Sequence, residues 1–528
     1  MATEGLGRSG PGWAHPIVLG LAAMFMATNL WQRVVVFDEG YASYCAWRIA
    51  AGELPYRDFQ ANYSPGSFYM NALAFQLFGT SLITLRAVDL FVRLGLAVGC
   101  GLAAWRGGAG AWSWAAFLIG LAFLGTISMF GYAAVPGLAL FFAAAHVWDS
   151  FTRGPSRKWA LAVGFLTGLL FFFRQDFGLY AAAGFAVHGL LLRAVARRPL
   201  PFRLVSLAAL AATLLSAALF LPAILAVGWH RMLDLLFLEP LQLRSGLYRL
   251  PLPVPELIWF SLKAWAATGA RAAMDVSQRW AAFFGTLIAI GLALGWSLWG
   301  LRRGREGSAT VLLYSLLGGL LIRQGLNRAD LAHMFPMLLM ALACLLPLMR
   351  QPGVVWVARP VALLFGLFFL VVPFGDWVAY AQGLRSLPSS RLTRSHGLPV
   401  PLDMEAAATR VNEGTLPQER IYVANANMEQ GLISATLFYF LADRASASYY
   451  EYIRRPLPPP DIEALYAALR DPGTGAVVIW DGLHERWGVS PLDASIRAFS
   501  SRGERYGDFV VLFKPRASAA VGGSKGQH

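Results

Sequence analysis

The chain has 528 residues, 57% hydrophobic and only 14% charged, with 44 Lys and Arg against 30 Asp and Glu. A soluble domain carries roughly a quarter of its residues charged, so the composition excludes an ordinary water-soluble globule and indicates a chain that crosses a membrane several times. The basic excess does not indicate a nucleic-acid partner. Before residue 360 the basic side chains sit mainly in short loops between apolar runs, where topology control by positive charge puts them.

Eleven runs approach the length of about 17–25 residues needed to span a bilayer: 15–36, 82–104, 112–130, 132–148, 159–173, 177–192, 204–227, 280–301, 309–323, 331–349 and 354–374. The first run has no small-residue cleavage site behind it and reads as a retained helix. With the N-terminus cytoplasmic, the inner loops carry Arg106, Arg153, Arg157, Lys158, Arg193, Arg197, Arg198, Arg203, Arg302, Arg303, Arg305 and Arg350, against Asp149 and Glu306. That asymmetry fixes the expected orientation. It also gathers the polar residues that topology does not need on the other, extracytoplasmic face: a loop at 37–66, a break at 174–176, a long loop at 228–279 and a break at 323–330.

The loop after the first run reads FDEGYASYCAWRIAAGELPYRDFQANYSPG. Asp38 is expected to cap a helix over 39–51 that ends at Gly52, with Tyr41, Tyr44 and Arg48 on one face. Residues 54–63 have no helical period. Ser64-Pro65 then opens an interfacial helix that ends at Gly79. Cys45, Cys100 and Cys344 are scattered singly and imply no disulfide framework.

Beyond residue 375 the composition turns polar. Residues 376–416 read as a linker. Over 417–515, the runs RIYVA, ASASYY, AVVIWD and FVVLFKP read as strands, and 430–442, 460–470 and 491–500 as helices, giving a small extracytoplasmic α/β domain. Residues 516–528 read as a disordered tail.

Several residues could carry chemistry. Asp38 and Glu39, at the mouth of a membrane helix, can cap that helix or serve as a general base, an ion anchor or a hydroxyl-binding pair. Arg57-Asp58, taken alone, reads as a surface ion pair. Arg174 and Asp176 interrupt two apolar runs with charge, which is costly at a membrane edge unless used. In the next break, Arg328 suits bidentate phosphate binding, and Asp330 and His333 share a face at a helix start, as a cap or as two ligands of an incomplete metal site. Arg86, Asp89 and Arg93 lie within an apolar run at i, i+3 and i+7, as a structural pairing or a phosphate site.

The pattern Asp38-Glu39-x-Tyr41, then Ala46, Arg48 and Gly52, then Pro55-Tyr56-Arg57-Asp58, then Tyr63-x-Pro65-Gly66 resembles the first outer loop of the GT-C glycosyltransferase superfamily, in particular bacterial members of the protein mannosyltransferase and aminoarabinose transferase type. The resemblance covers about thirty residues. It implies a catalytic membrane domain over 1–375, with its first outer loop at 37–80, that takes a sugar from a polyprenyl-phosphate donor and passes it to a lipid, glycan or protein acceptor. Asp38 would be the catalytic base with Glu39 beside it. Arg57, Asp58, Tyr63, Arg174, Asp176, Arg328, Asp330 and His333 would line the substrate site, and some members of the superfamily use a divalent cation. The residues that precede the interfacial helix depart from the aminoarabinose transferase pattern: Asn62-Tyr63-Ser64-Pro65-Gly66 stands where a Lys precedes a proline pair. Two other classes compete: a transporter or flippase of a lipid-linked sugar, and a non-catalytic protein of envelope polysaccharide assembly.

Overall fold

The structure, a computed structural model, describes residues 11–239, 270–327, 331–363, 365–366, 388–425, 435–451, 457–481, 496 and 503–514, with side chains in the second stretch from residue 282. The chain divides into two compact units, Met1–Ser389 and Ser390–His528.

The first unit is helical. It comprises α1 (Pro16–Ala27), α2 (Asp38–Ala50), α3 (Gly66–Phe78), α4 (Leu82–Arg106), α5 (Trp112–Thr126), α6 (Ala134–Arg153), α7 (Arg157–Phe173), α8 (Gln175–Ala196), α9 (Phe202–Val227), α10 (Trp229–Leu233), α11 (Ala270–Arg302), α12 (Ser308–Asn327) and α13 (Leu331–Leu345). Among the described residues, seven helical stretches are long and apolar enough to cross a membrane: Leu82–Arg106, Ala134–Arg153, Gln175–Ala196, Phe202–Val227, Ala282–Arg302, Ser308–Leu326 and His333–Arg350. The protein is a multi-pass membrane protein. Three further expected spans form shorter helices, α1, α5 and α7. The run at 15–36 stops being α-helical at Ala27 because polar residues follow: Thr28 Oγ1 donates to the Phe25 carbonyl (2.7 Å), and buried Gln32 donates to Asn29 (2.9 Å). The run at 354–374 lies partly outside the described residues.

Local sequence explains the helix ends. Ser81 and Ser156 accept from the backbone N–H three residues on and so start α4 and α7. Gly79 and Gly228 adopt left-handed φ values of 92° and 82° to end α3 and α9. The α7–α9 contact is set by Gly164 and Gly168, four residues apart. A Cβ at either would come within 2.5 Å or 2.8 Å of the Ala208 or Ala212 carbonyl oxygen, so only glycine lets the two backbones meet. The outward face of α9 is exposed along most of its length, as a lipid-facing helix is.

Cross-contacts define the two ends of the bundle. At one, Trp13 donates to Ser113 (3.2 Å), Arg106 meets Ser150 (2.9 Å) and Arg153 meets Thr310 (2.7 Å). A Cβ at Gly307 would touch the Gly107 carbonyl there. At the other end lie residues 31–66, 127–133, 174, 229–238, 324–327 and 331–333. This reproduces the segregation of polar breaks that the loop charges predict.

The second unit holds a four-stranded sheet in the order β1-β2-β4-β3, with β1 (Arg420–Asn425) parallel to β2 (Thr474–Trp480), and β4 (Phe509–Phe513) antiparallel to both β2 and β3 (Gly503–Tyr506). α16 (Pro459–Arg470) makes the crossover between the parallel strands and packs Leu465 and Leu469 on Tyr422, Val477 and Ile479. α15 is Thr436–Leu441. Two expectations need correction, and one strand was not anticipated. The run ASASYY meets the sheet only as a single bridge, Ser446 to Ile421. GERY, too polar to read as a strand, forms the edge strand β3. The expected linker 376–416 contains α14 (Leu402–Gly414), tied to the sheet by the Arg410–Glu504 ion pair (2.7 Å) and by Gly414 against Phe513. The expected helix 491–500 and the tail 516–528 fall almost wholly outside the described residues.

Candidate active site

α2 begins at Asp38, one residue earlier than expected. Its N-cap is Phe37, whose side chain makes no capping bond, so Asp38 is the first helical residue and not the cap. A carboxylate there still faces the positive end of the helix dipole. Asp38 is partly exposed and Glu39 is fully buried. The Glu39 carboxylate lies on the Arg86 guanidinium of α4, with Nη2 at 2.9 Å, and accepts from the Val35 backbone N–H (2.8 Å). Tyr44, Arg48 and Glu53 form a second internal cluster, and Gly52 takes a φ of 91° at the helix end.

The rest of the first loop folds on itself. Arg57 grips Asp58 through two bonds of 2.8 Å and 2.7 Å, and Asp58 also accepts from the Leu54 N–H (2.7 Å), closing the turn at 54–58. The hydrogen bond from Arg57 holds the Asp58 carboxyl below the usual carboxylate range. Tyr56, at a left-handed φ of 70°, donates to the Tyr63 carbonyl (2.7 Å). Tyr41 accepts from the Asn62 N–H (2.8 Å) and donates to the Gln60 carbonyl (3.1 Å). Among the described residues, the contacts of Arg57 and Asp58 stay within this loop.

The loop is bolted to the break between α7 and α8. Ser64 Oγ donates to Gln175 Oε1 (2.6 Å) and accepts from the Gln175 N–H (3.2 Å). A Cβ on Gly66 would come within 2.8 Å of the Phe172 carbonyl oxygen, so α3 can approach this closely only with glycine there. Gln175 reaches on to the Leu236 carbonyl (2.9 Å). Arg174 and Asp176 form a bidentate pair of 2.9 Å and 3.0 Å, and Gln324 of α12 donates to Asp176 (3.0 Å). Four separate stretches of chain therefore meet at residues 174–176.

The Arg174 guanidinium is buried between the rings of Phe177 (4.7 Å) and Tyr63 (5.6 Å), and its stem fills the space a side chain at Gly137 would need. Its Nη1 is buried and makes no hydrogen bond among the described residues. Such a nitrogen costs stability unless something else occupies it. Tyr132 lies within electrostatic reach of this guanidinium and packs edge-on to His333 (6.1 Å). Tyr132 was not singled out from the sequence, where it is one aromatic in an apolar run. Its neighbour Gly131, at φ 74°, abuts the Asp38 carbonyl, which a Cβ there would approach to 2.9 Å. The stretch Gly131–Gly137 thus runs from Asp38 to Arg174.

Of the residues picked from the sequence, Asp38, Tyr63, Arg174, Asp176 and His333 fall in this one region. Arg328 and Asp330 lie outside the described residues. Glu39 turns into the protein, and Asp89 pairs with Arg93 (2.6 Å) while Arg86 takes Glu39 instead of Asp89. Among the described residues, no group of three His, Cys, Asp or Glu side chains could hold a metal ion. The three cysteines are buried and unbridged.

No family model matches the chain, and no curated protein does. Solved structures do match its fold. ArnT from Cupriavidus metallidurans in the apo state superposes with a TM-score of 0.55 at 14% identity, over 95% of this chain and 99% of that one. The same protein bound to undecaprenyl phosphate gives 0.51 at 15%, over 96% and 100%. An Archaeoglobus fulgidus oligosaccharyltransferase tethered to an acceptor peptide gives 0.50 at 13%, over 92% and 72%. The likeness extends over nearly the whole chain and shows that it shares the fold of these membrane proteins.

Proposed function

We propose that this GT-C-fold chain is an integral membrane glycosyltransferase of the plasma (inner) membrane, N-terminus cytoplasmic, that moves a sugar from a polyprenyl-phosphate donor to an acceptor hydroxyl on the extracytoplasmic side. The observation that carries the reading is Arg174: a buried guanidinium with one nitrogen unpartnered among the described residues, in the same region as a partly exposed carboxylate. Transfer needs both charges. The acceptor hydroxyl attacks the anomeric carbon while Asp38 takes its proton, and the bond to the phosphate oxygen breaks with its electron pair going to the lipid phosphate. Arg174 meets the charge that develops on that phosphate. Tyr63 packs on Arg174, Tyr132 lies within its electrostatic reach and against His333, and Asp176, itself bonded by Gln324, holds Arg174 in place. Glu39, with its carboxylate on Arg86, has no part in proton transfer. ArnT, a neighbour in fold, binds undecaprenyl phosphate, which fits a donor of this class. The C-terminal α/β unit is available for acceptor recognition, and the acceptor is a lipid, a glycan or a protein.

The transporter reading drew on Arg86, Asp89 and Arg93. Arg86 is held by Glu39 and Arg93 by Asp89, which does not favour a polar path across the bundle. The test compares envelope lipids, glycans and glycoproteins of cells with and without the chain. The reading expects one sugar-bearing species to vanish while undecaprenyl-phosphate-linked sugar accumulates. An unchanged profile would sink it.

A further inference from the structure

We propose that the Arg86–Glu39 pair is a positioning clamp: it fixes the irregular backbone of residues 30–39 and thereby sets where the Asp38 carboxylate stands. The proposal rests on the reading of Asp38 as the base and adds two residues to it.

No side chain caps α2 at Phe37, and its first turn is held by the backbone bonds from Gly40 N–H to the Val35 carbonyl (3.3 Å) and from Tyr41 N–H to the Phe37 carbonyl (2.7 Å). The segment before it has no regular ladder to hold it: a 3-10 turn at Thr28–Trp31 is followed by irregular backbone. Arg86 adds an anchor from another helix. Its Nη1 donates to the carbonyls of Leu30 (2.6 Å) and Gln32 (2.5 Å), and Nη2 donates to that of Arg33 (3.2 Å). Nε and Nη2 hold Glu39, and Glu39 in turn accepts from the Val35 N–H. One guanidinium thus moors both sides of the turn that presents Asp38. Phe130 stacks on Arg86 at 4.5 Å, and the next residue, Gly131, abuts the Asp38 carbonyl. Successive helical residues point about 100° apart. Glu39 directed inward to Arg86 therefore turns Asp38 to another face, where it is partly exposed. Bulk alone could be met by an apolar pair of similar volume, which often packs as well as a buried ion pair. An apolar pair could not hold three carbonyls and an N–H. Catalysis is sensitive to such placement, a shift of about 1 Å being able to cost about 10²-fold.

The decisive variant is Glu39→Leu with Arg86→Met in the full-length chain, which removes both charges together. Arg86→Lys is the second, keeping the charge while losing the fork. Hydrogen exchange in lipid nanodiscs reads the clamp directly. The expected result is faster exchange over 30–42 in both variants, with the α7–α9 contact unchanged. Turnover of an undecaprenyl-phosphate sugar should fall about 10²-fold in kcat for the double variant, with its KM unchanged. Unaltered exchange over 30–42 would overturn the proposal, as would faster exchange with native turnover. Full activity in Asp38→Asn would instead sink the function while leaving the exchange result standing.

Discussion

The two ends of the bundle treat buried polar groups in opposite ways. At the end carrying the basic loops, Asp149 accepts from Thr310 (2.8 Å), Arg153 (3.0 Å) and Arg106 (3.4 Å). His146 sits between the Gly99 carbonyl (3.0 Å) and the Tyr314 hydroxyl (3.0 Å). His188 accepts from Trp148 at Nδ1 (3.0 Å), so its Nε2 donates to the Ala309 carbonyl (2.9 Å). At that end Trp296 Nε1 and Ser308 Oγ are buried without a partner among the described residues. At the other end Gln60 Oε1, Ser67 Oγ, Arg174 Nη1 and Gln324 Oε1 are all in that state. A closed network specifies one packing of helices. A network left open where several chain segments meet is where a polar ligand completes the bonding.

The contrast can be broken from either side. Asp149→Leu strands Thr310 and two arginines and should cost the most stability, near the lower end of about 3–5 kcal/mol because both arginines reach solvent. Thermal unfolding in detergent should show it, while the protein that remains folded keeps native turnover. Arg174→Lys acts mainly on binding. It loses the bidentate hold on Asp176, so it should lower the unfolding temperature, but by less than Asp149→Leu because the charge is kept, and should weaken undecaprenyl phosphate binding about 10–100-fold, the equivalent of one hydrogen bond to a charged group, about 1.5–3 kcal/mol. Ser64→Ala unlatches the first loop from Gln175 and should cost about 1 kcal/mol, with faster exchange over 62–66. The smallest effect belongs to the exposed Arg57–Asp58 pair. Its stabilisation is fully present above the ordinary carboxylate pKa and is lost as pH falls through the lowered Asp58 value. Arg57→Ala should therefore leave stability at neutral pH almost untouched and remove that acidic dependence in a pH series of unfolding temperatures.

Much of the architecture is readable in the chain. Loop charge alternation assigns to one end the breaks whose described parts the structure brings together at 174–176, and Ser64-Pro65 places the start of α3 one residue before the observed Gly66. What escaped depends on partners distant in sequence. Glu39 looks like a companion of Asp38 because they are adjacent; only Arg86, on another helix, reveals that it turns inward. Tyr132 carries no signal in a run of apolar residues until Arg174 and His333 pack near it. In the C-terminal unit, α14 hides in a polar stretch because helix 402–414 buries only Met404, Ala407, Ala408 and Val411. Strand β3 hides because an edge strand needs no apolar face.

The most direct test of the central claim is turnover of Asp38→Asn against a panel of undecaprenyl-phosphate-linked sugars in proteoliposomes, with undecaprenyl phosphate binding measured alongside. The account predicts turnover lower by about 10²–10⁴-fold, the usual contribution of a general base, with native expression, unfolding temperature and lipid-phosphate binding. Native turnover in that variant would contradict it.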